Sequence, residues 1–196
     1  MDKFIIYFIS YFIGNISPSY IFTKFLKNED IRDFGSGNAG TTNALRVGGK
    51  KMGLAVFLVD FFKGFLVALL VNKNFGLMTA LMASICVILG HIYPVFLKFR
   101  GGKGVATSLG VYYALFFVPI FICSIIGLIL LYIKRYVSLS AMVTLFNINI
   151  AMFIAGYEIK YILCTIFIFL LVTYKHKSNI QRLMNHNENK LSFSKK

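Results

Sequence analysis

Two glycine-rich segments contain the residue types that bind phosphate groups in proteins. In the first, from Asp33 to Arg46, three glycines within six residues let the backbone turn and approach a ligand closely. The stretch from Thr42 to Arg46 is predicted to open a helix, whose free N–H groups and positive dipole end attract anions. A flexible polar loop is the alternative, because glycine, serine and asparagine also favour loops. The predicted phosphate-binding residues are Ser36, Gly37, Asn38, Thr42, Asn43 and Arg46.

The second segment runs from Gly90 to Thr107 and contains a lysine between glycines. It does not match the nucleotide-binding P-loop, because Lys103 is followed by Gly104 rather than by serine or threonine. Nucleotide hydrolysis is therefore not indicated. Basic residues that merely flank a membrane span are the alternative interpretation, which the surrounding glycines disfavour. The predicted binding residues here are Arg100, Gly101, Gly102, Lys103 and Gly104.

Two further polar groups lie nearer the C-terminus. Ser138 and Ser140 open an apolar run, where they would either cap a helix or donate hydrogen bonds to a ligand. His176 and Asn179 are three residues apart and share one helical face, which Arg182 continues. That face is predicted to bind substrate, and a solvated basic helix is the alternative.

One charged pair lies inside an apolar run. Asp60 and Lys63 are three residues apart on one helical face. Charges within a membrane span are costly and usually pair with one another. We therefore expect a structural ion pair beneath the loops rather than a catalytic pair.

The composition is that of a polytopic membrane protein. The 196 residues are 58% hydrophobic and 14% charged, whereas soluble domains have about 25% charged residues. The net charge of +14 is explained by basic residues that flank spans, so no nucleic-acid partner is predicted. No removable signal peptide is recognised, and a retained N-terminus is expected. The three cysteines lie in apolar runs and are expected to act as small hydrophobic residues: Cys86, Cys123 and Cys164.

The long apolar runs are predicted to form an all-α bundle of seven membrane spans. The fourth run carries Pro119 and is interpreted as two short helices that meet at Val118 and Pro119. This division places every lysine and arginine on one face except Lys3, Lys73 and Lys160, with Lys63 inside a span, as the positive-inside rule requires. The N-terminus is then outside and the C-terminus cytoplasmic. The chain is expected to form one domain, residues 1–196, with a frayed tail from about residue 189. The apolar runs are Phe4 to Phe25, Gly53 to Val71, Phe75 to Tyr93, Val105 to Ile133, Val137 to Phe153 and Tyr157 to Tyr174.

In this topology all four polar segments lie on the cytoplasmic surface. We expect them to converge into one cationic pocket at the membrane boundary. Such a pocket would hold a phosphorylated, water-soluble substrate while a lipid chain enters from the bilayer. The shortage of aspartates within spans predicts a reaction without a metal, and no other cofactor is expected.

A set of motifs extends along nearly the whole chain: Gly14-Asn-Ile-Ser-Pro18, Asp30-Ile-Arg32, Gly35-Ser-Gly-Asn38, Gly40, Thr42-Asn43, Arg46, Asp60, Lys63-Gly64, His91, Pro94-Val-Phe-Leu97, Phe99-Arg-Gly-Gly-Lys-Gly-Val-Ala-Thr107, Arg135-Tyr136, Ser138-Leu139, His176, Asn179-Ile180, Arg182-Leu183 and Glu188. These motifs resemble those of the PlsY family of bacterial acyl-phosphate:glycerol-3-phosphate acyltransferases. Three positions depart from the family pattern: Thr41, Ala141 and Asn185.

The resemblance implies transfer of an acyl group from acyl phosphate to glycerol 3-phosphate, which yields 1-acylglycerol 3-phosphate (lysophosphatidic acid) and phosphate. It also implies seven membrane helices in the bacterial cytoplasmic membrane. A monomer embedded in membrane lipid is expected, with contact to the enzyme that forms the acyl phosphate. Because an acyl phosphate is already activated, the enzyme needs to bind two phosphates and stabilise an oxyanion. Ser36, Arg46 and Lys103 are the predicted phosphate ligands, and Asn179 is predicted to position glycerol 3-phosphate.

The base that removes the hydroxyl proton is left open between His176 and a phosphate oxygen of the donor. Among other functions, a transporter of phosphorylated small molecules is the main alternative. A transporter would place cationic sites near mid-membrane between inverted repeats, and no repeat is visible. A purely structural membrane subunit would leave the two glycine-rich segments without a purpose.

Overall fold

The computed structural model describes residues 2–191, and within that range the secondary structure is helical. The described residues divide into two compact units, one that ends at Leu115 and one that begins at Phe116. The first unit contains α1 (Lys3–Asn15), α2 (Pro18–Lys27), α3 (Thr41–Phe75), α4 (Leu77–Ile92) and α5 (Val105–Leu115), with 3-10 turns at Ile31–Asp33 and Val95–Leu97. The second contains α6 (Phe117–Lys134), α7 (Val137–Ile154), α8 (Ile159–Lys175) and α9 (Lys177–Met184).

Five of the described segments are long and apolar enough to cross a membrane. They are Lys3–Lys27, Thr41–Phe75, Leu77–Leu97, Phe117–Lys134 and Val137–Ile154. A sixth arises if α8 and α9, which are bent by 64°, are counted as one span. Helix α5 has 11 residues and a length of about 17 Å, which is short of the roughly 30 Å hydrocarbon core.

The first apolar run, predicted as one span, lies within one candidate span that is built from two helices. α1 ends at Asn15 because Ser17 precedes a proline, and that position disfavours helical backbone. Ser17 accordingly has φ −106° and ψ 96°. Pro18 then opens α2, at a helix start where a missing N–H costs nothing.

The fourth run does divide into two helices, but the predicted junction at Val118 and Pro119 is wrong. The break lies at Phe116, which has φ −138° and ψ 52°. Pro119 sits in the first turn of α6, where backbone N–H groups have no helical partner and proline is tolerated. The two helices therefore have 11 and 18 residues rather than two similar halves.

Glycines at helix crossings bring helix backbones of the first unit close together. A Cβ at Gly14 of α1 would lie 2.2 Å from the carbonyl oxygen of Val87 of α4. A Cβ at Gly64 of α3 would lie 2.2 Å from the carbonyl oxygen of Thr107 of α5. Small residues at such crossings are typical of membrane helices, because close backbone packing replaces the hydrophobic driving force there.

The second unit is joined by polar contacts between its helices. The hydroxyl of Thr165 in α8 donates to Oδ1 of Asn149 in α7 at 2.8 Å. The N–H of Leu191 donates to the carbonyl of Arg135 at 2.7 Å, so hydrogen bonding continues past residue 189. The rest of the predicted frayed tail, residues 192–196, lies outside the described residues. Among the cysteines, Cys123 and Cys164 are buried as expected and Cys86 is half-buried.

Candidate functional site

The first glycine loop, residues 34–40, is shaped by one buried asparagine. The amide nitrogen of Asn43 donates to the carbonyls of Ile31 (3.1 Å) and Phe34 (2.9 Å). Its oxygen accepts the N–H of Ser36 at 2.8 Å. Because Asn43 is 1% exposed, these contacts are internal to the protein. This use differs from the prediction that Asn43 donates to a ligand, since its amide instead holds the loop that presents Ser36.

Glycine is required where this loop turns. Gly35 and Gly37 have φ of 61° and 67°, a region that residues with a Cβ rarely adopt. A Cβ at Gly35 would also lie 2.3 Å from the Asn43 side-chain oxygen. Ser36 and Gly37 are therefore exposed on a loop that the buried side chain of Asn43 holds in place.

Helix α3 begins where the sequence predicted a helix to open. Thr41 is its first residue, and Thr42 and Arg46 are four residues apart, so they share one helical face. Arg46 is exposed and Thr42 is half-buried. Helix α3 is interrupted at Gly49, which has φ 75° and ψ −173°. Just before this break, the ammonium of Lys27 donates to the carbonyl of Val47 at 3.3 Å.

Arg32, in the turn before the first loop, connects that turn to the one before the second loop. The guanidinium of Arg32 contacts the carboxylate of Asp30 at 2.5 Å and donates through Nη1 to the carbonyl of Leu97 at 2.8 Å. The hydrogen bond from Arg32 holds the pKa of Asp30 below its ordinary value, and it outweighs partial burial, which raises it.

The second glycine loop, residues 100–104, folds back on the end of α4. The N–H groups of Gly101 and Gly102 donate to the carbonyls of Ile92 (3.2 Å) and His91 (3.1 Å). These carbonyls would otherwise lack partners at the helix end. A Cβ at Gly101 would lie 2.1 Å from the carbonyl oxygen of His91, so only glycine fits. Lys103 follows directly and is half-buried, while Arg100 is exposed.

The structure brings the two glycine loops together. The side-chain amide of Asn38 donates to the carbonyl of Gly101 at 3.2 Å, across 63 residues of sequence. A Cβ at Gly40 would lie 3.7 Å from the Cα of Gly102, so the two backbones lie close together. Two of the four segments that were expected to converge therefore meet.

A buried charged cluster lies beneath the second loop. The ammonium of Lys63 is 2.7 Å from Oδ1 of Asp60, which confirms the predicted ion pair. Nδ1 of His91 completes the cluster, 2.9 Å from Lys63 and 3.2 Å from Asp60. The sequence predicted the pair from its spacing, whereas His91, 28 positions further on, was indicated only as a residue of a family motif.

In the second unit three of the predicted residues contact a carboxylate that was not among the predicted site residues. Oε1 of Glu188 accepts from Ser138 (3.0 Å) and from Asn179 (2.7 Å), and Oε2 accepts from Arg182 (2.8 Å). Burial would raise the pKa of Glu188, but these three hydrogen bonds outweigh it and hold the pKa below its ordinary value. The family motif that contains Glu188 was the one sequence signal for it.

The two serines of α7 do not cap it, because the N-cap residue is Tyr136 and no side chain bonds there. Ser138 bonds Glu188 instead. Ser140 is buried, and its hydroxyl has no hydrogen-bond partner among residues 2–191.

His176 lies between α8 and α9, with its imidazole buried. Nδ1 is 2.8 Å from the carbonyl oxygen of Val172. A carbonyl can only accept, so Nδ1 carries the proton. In the neutral ring the lone pair is then on Nε2, which is the form that a general base requires.

The sequence matches known proteins over nearly its whole length. Residues 4–186 match the family model described as glycerol-3-phosphate acyltransferase. A glycerol-3-phosphate acyltransferase of Finegoldia magna is 45% identical over 93% of both chains. One of Aquifex aeolicus is 39% identical over 97% of this chain and 100% of its own.

Two solved structures of the integral membrane glycerol 3-phosphate acyltransferase PlsY are similar to this chain. One, the glycerol 3-phosphate form, has a TM-score of 0.93 and 38% identity over 97% of this chain and 96% of that one. The other, the lysophosphatidic acid form, has a TM-score of 0.90 and 35% identity over 97% and 95%. The chain therefore belongs to the glycerol-3-phosphate acyltransferase family.

Proposed function

We propose that the acyl donor of this glycerol-3-phosphate acyltransferase is an acyl phosphate, and that two bound phosphate groups meet at the glycine loops. The observation that carries the proposal is the hydrogen bond from Asn38 to Gly101, which connects the two glycine loops proposed to bind phosphate. Donor and acceptor each bring one phosphate, so a site built from two such loops fits both. The acceptor and the product named for the two PlsY structures also each carry a phosphate group.

The reaction needs no enzyme nucleophile. The acceptor hydroxyl oxygen attacks the acyl carbonyl carbon, and a tetrahedral oxyanion forms. The bond from this carbon to the phosphate oxygen then breaks, and inorganic phosphate leaves with the bonding electrons. The products are 1-acylglycerol 3-phosphate and phosphate, in the first acylation of phospholipid synthesis. The enzyme accelerates the reaction by orienting the two reactants and by stabilising the negative charge that develops on the carbonyl oxygen.

Cationic and neutral donors are assigned to the two phosphates. Ser36, Arg46 and Lys103 bind phosphate, with help from Arg100 and the N–H groups of the loops. Asn179 and Arg182 position glycerol 3-phosphate, and Glu188 aligns both of them. Arginine suits this task because its planar fork matches the phosphate oxygens.

Two groups compete for the proton of the attacking hydroxyl. His176 is the enzyme candidate, because the hydrogen bond to Val172 sets the tautomer with a basic Nε2. A phosphate oxygen of the donor is the alternative, since it lies next to the reacting carbonyl in any productive complex. The two routes give the same products, because the histidine passes its proton on to solvent or phosphate before the next turnover.

The protein is proposed to be a monomer with seven spans in the bacterial cytoplasmic membrane, its N-terminus outside and its C-terminus cytoplasmic. The asymmetry of basic residues supports this orientation. Helix α5 is short for a span and needs shelter or local thinning of the bilayer. The enzyme that forms the acyl phosphate would contact the cytoplasmic face and pass on its product.

The test is phosphate release from acyl phosphate by purified protein in detergent. We expect release that depends on glycerol 3-phosphate, together with stoichiometric 1-acylglycerol 3-phosphate. Acylation from an acyl thioester, with none from acyl phosphate, would contradict the proposed donor.

One further measurement distinguishes the acyltransferase from a transporter of phosphorylated small molecules. Protein in sealed vesicles would then move glycerol 3-phosphate across the membrane without acyl chemistry. We expect no such flux.

A further inference from the structure

The ammonium of Lys63 is buried in a cage of oxygen and nitrogen atoms. Oδ1 of Asp60 lies 2.7 Å away and Nδ1 of His91 lies 2.9 Å away. The Lys63 ammonium also donates to the carbonyls of Ile16 at 2.8 Å and Gly14 at 3.2 Å. The lysine and aspartate side chains are 5% and 1% exposed. A charge this deep requires paired and hydrogen-bonded partners, and Lys63 has both.

The cage joins three separate parts of the first unit. Gly14 and Ile16 lie at the end of α1, Asp60 and Lys63 belong to α3, and His91 belongs to α4. The carbonyls at a helix end lack helical partners and carry its negative dipole charge, so a cation there is doubly favourable. Lys63 therefore holds the broken end of α1 against the end of α4.

The imidazole of His91 forms the floor of the second glycine loop. A Cβ at Gly102 would lie 2.0 Å from Nε2 of His91, so the loop backbone rests on the ring edge. The His91 carbonyl also accepts the N–H of Gly102 at 3.1 Å. The ring and its own backbone thus fix the residue that precedes Lys103.

Nδ1 of His91 faces both members of the ion pair, Lys63 at 2.9 Å and Asp60 at 3.2 Å. Nε2 lies at the opposite edge of the ring, which faces Gly102. One ring therefore contacts the buried cage on one side and packs on the loop with the other.

We propose that Lys63, Asp60 and His91 are positioning residues for the acyl transfer, which act through Gly102 on Lys103. The inference rests on the proposed role of Lys103 as a phosphate ligand. The three residues act from beneath the loop, without contact to substrate. Displacement of a binding group by about 1 Å can lower the rate about 10²-fold, so control of the loop backbone is sufficient.

A double-mutant experiment isolates the contact between His91 and Gly102. His91→Asn keeps an oxygen near the position of Nδ1 for Lys63 but removes the ring edge. G102A alone should lower kcat/KM for glycerol 3-phosphate about 10²-fold. H91N with G102A should be roughly tenfold more active than G102A, because the added methyl group now has space.

Gly101→Ala is the matched control. Its Cβ would meet the main-chain oxygen of His91, which no side-chain substitution removes. H91N should therefore leave the defect of G101A unchanged. Equal rescue of both glycine variants, or rescue of neither when all are folded, would overturn the proposal.

A second pair of variants tests the charged cage. K63M leaves Asp60 buried without its cation, which destabilises the fold, so D60N with K63M is the informative variant. We expect this double variant to remain folded by thermal unfolding and to show a KM for glycerol 3-phosphate raised about tenfold or more. Wild-type KM and kcat in that folded variant would show a merely structural cage and would refute the inference.

Failure of the proposed donor is distinguishable from failure of this inference. Binding of glycerol 3-phosphate to the same variants, measured by calorimetry, does not depend on the acyl donor. If wild-type protein releases no phosphate from acyl phosphate, the binding constants still report whether H91N rescues G102A.

Discussion

The side-chain amide of Asn38 donates to the carbonyl of Gly101 at 3.2 Å. This one hydrogen bond connects the loop that presents Ser36 to the loop that presents Lys103. Neither loop has regular secondary structure, so contacts of this kind set the position of one loop relative to the other. The relationship makes the two loops one structural element.

Replacement of Asn38 by alanine should weaken the site without unfolding the protein. Loss of a hydrogen bond of this type costs about 1 kcal/mol, or roughly a fivefold change in an equilibrium constant. We expect KM for glycerol 3-phosphate to rise by about that factor. Asn74→Ala is the control, because the Asn74 amide bonds within its own helix, to Leu70. An equal effect of both substitutions would contradict the role of Asn38.

Substitution of His176 distinguishes the two proton acceptors. If His176 is the base, His176→Ala should lower kcat about 10²-fold or more while KM for glycerol 3-phosphate changes little. If a donor phosphate oxygen takes the proton, the loss should be small. The kcat of His176→Ala and wild type across about pH 5–9 decides, because only an enzyme base leaves a titration that the variant lacks.

Glu188 makes the stability of the protein sensitive to acid. Its pKa in the folded protein lies below the ordinary value of 4.5. A lowered pKa means that the carboxylate stabilises the fold above pH 4.5 and that this contribution is lost as pH falls through the folded value. The unfolding midpoint of wild type should therefore fall more steeply below pH 4.5 than that of Glu188→Gln. Parallel profiles would refute this assignment.

Asp30 and Asp33 lie close together in sequence, so a substitution of Asp33 is a control for the same substitution of Asp30. Asp30 is paired with Arg32, whereas Asp33 is exposed and takes no part in that ion pair. D30N should destabilise the fold by ~1 kcal/mol or less, because the pair is partly solvated. It should also lower activity, since Arg32 then holds Leu97 less firmly. D33N should change neither, and thermal unfolding with a kinetic assay compares them.

Local patterns in the sequence predicted what depends on near neighbours. Residues three apart on a helix share a face, so the pair of Asp60 and Lys63 was predictable. The start of α3 followed from the same kind of local signal. The break at Phe116 was predicted two residues too late, at Val118 and Pro119. The sequence alone does not distinguish a proline in the first turn of a helix from a proline that ends one.

Contacts between distant residues could not be inferred from spacing. His91 joins Lys63 across 28 positions, and Ser138 meets Glu188 across 50. The inward role of Asn43 was also hidden, because an asparagine in a polar loop can serve the backbone or a ligand equally well. Such assignments need the packing of the helices, which the sequence pattern alone does not specify.

The most direct test of the proposed chemistry is phosphate release from acyl phosphate by Lys103→Ala. Lys50→Ala is the control, because it removes the same charge from an exposed position on α3. With wild type, release should depend on glycerol 3-phosphate; Lys103→Ala should abolish it in folded protein, and Lys50→Ala should retain it. Near-normal turnover by folded Lys103→Ala would contradict the role of this lysine and the two-loop phosphate site built around it.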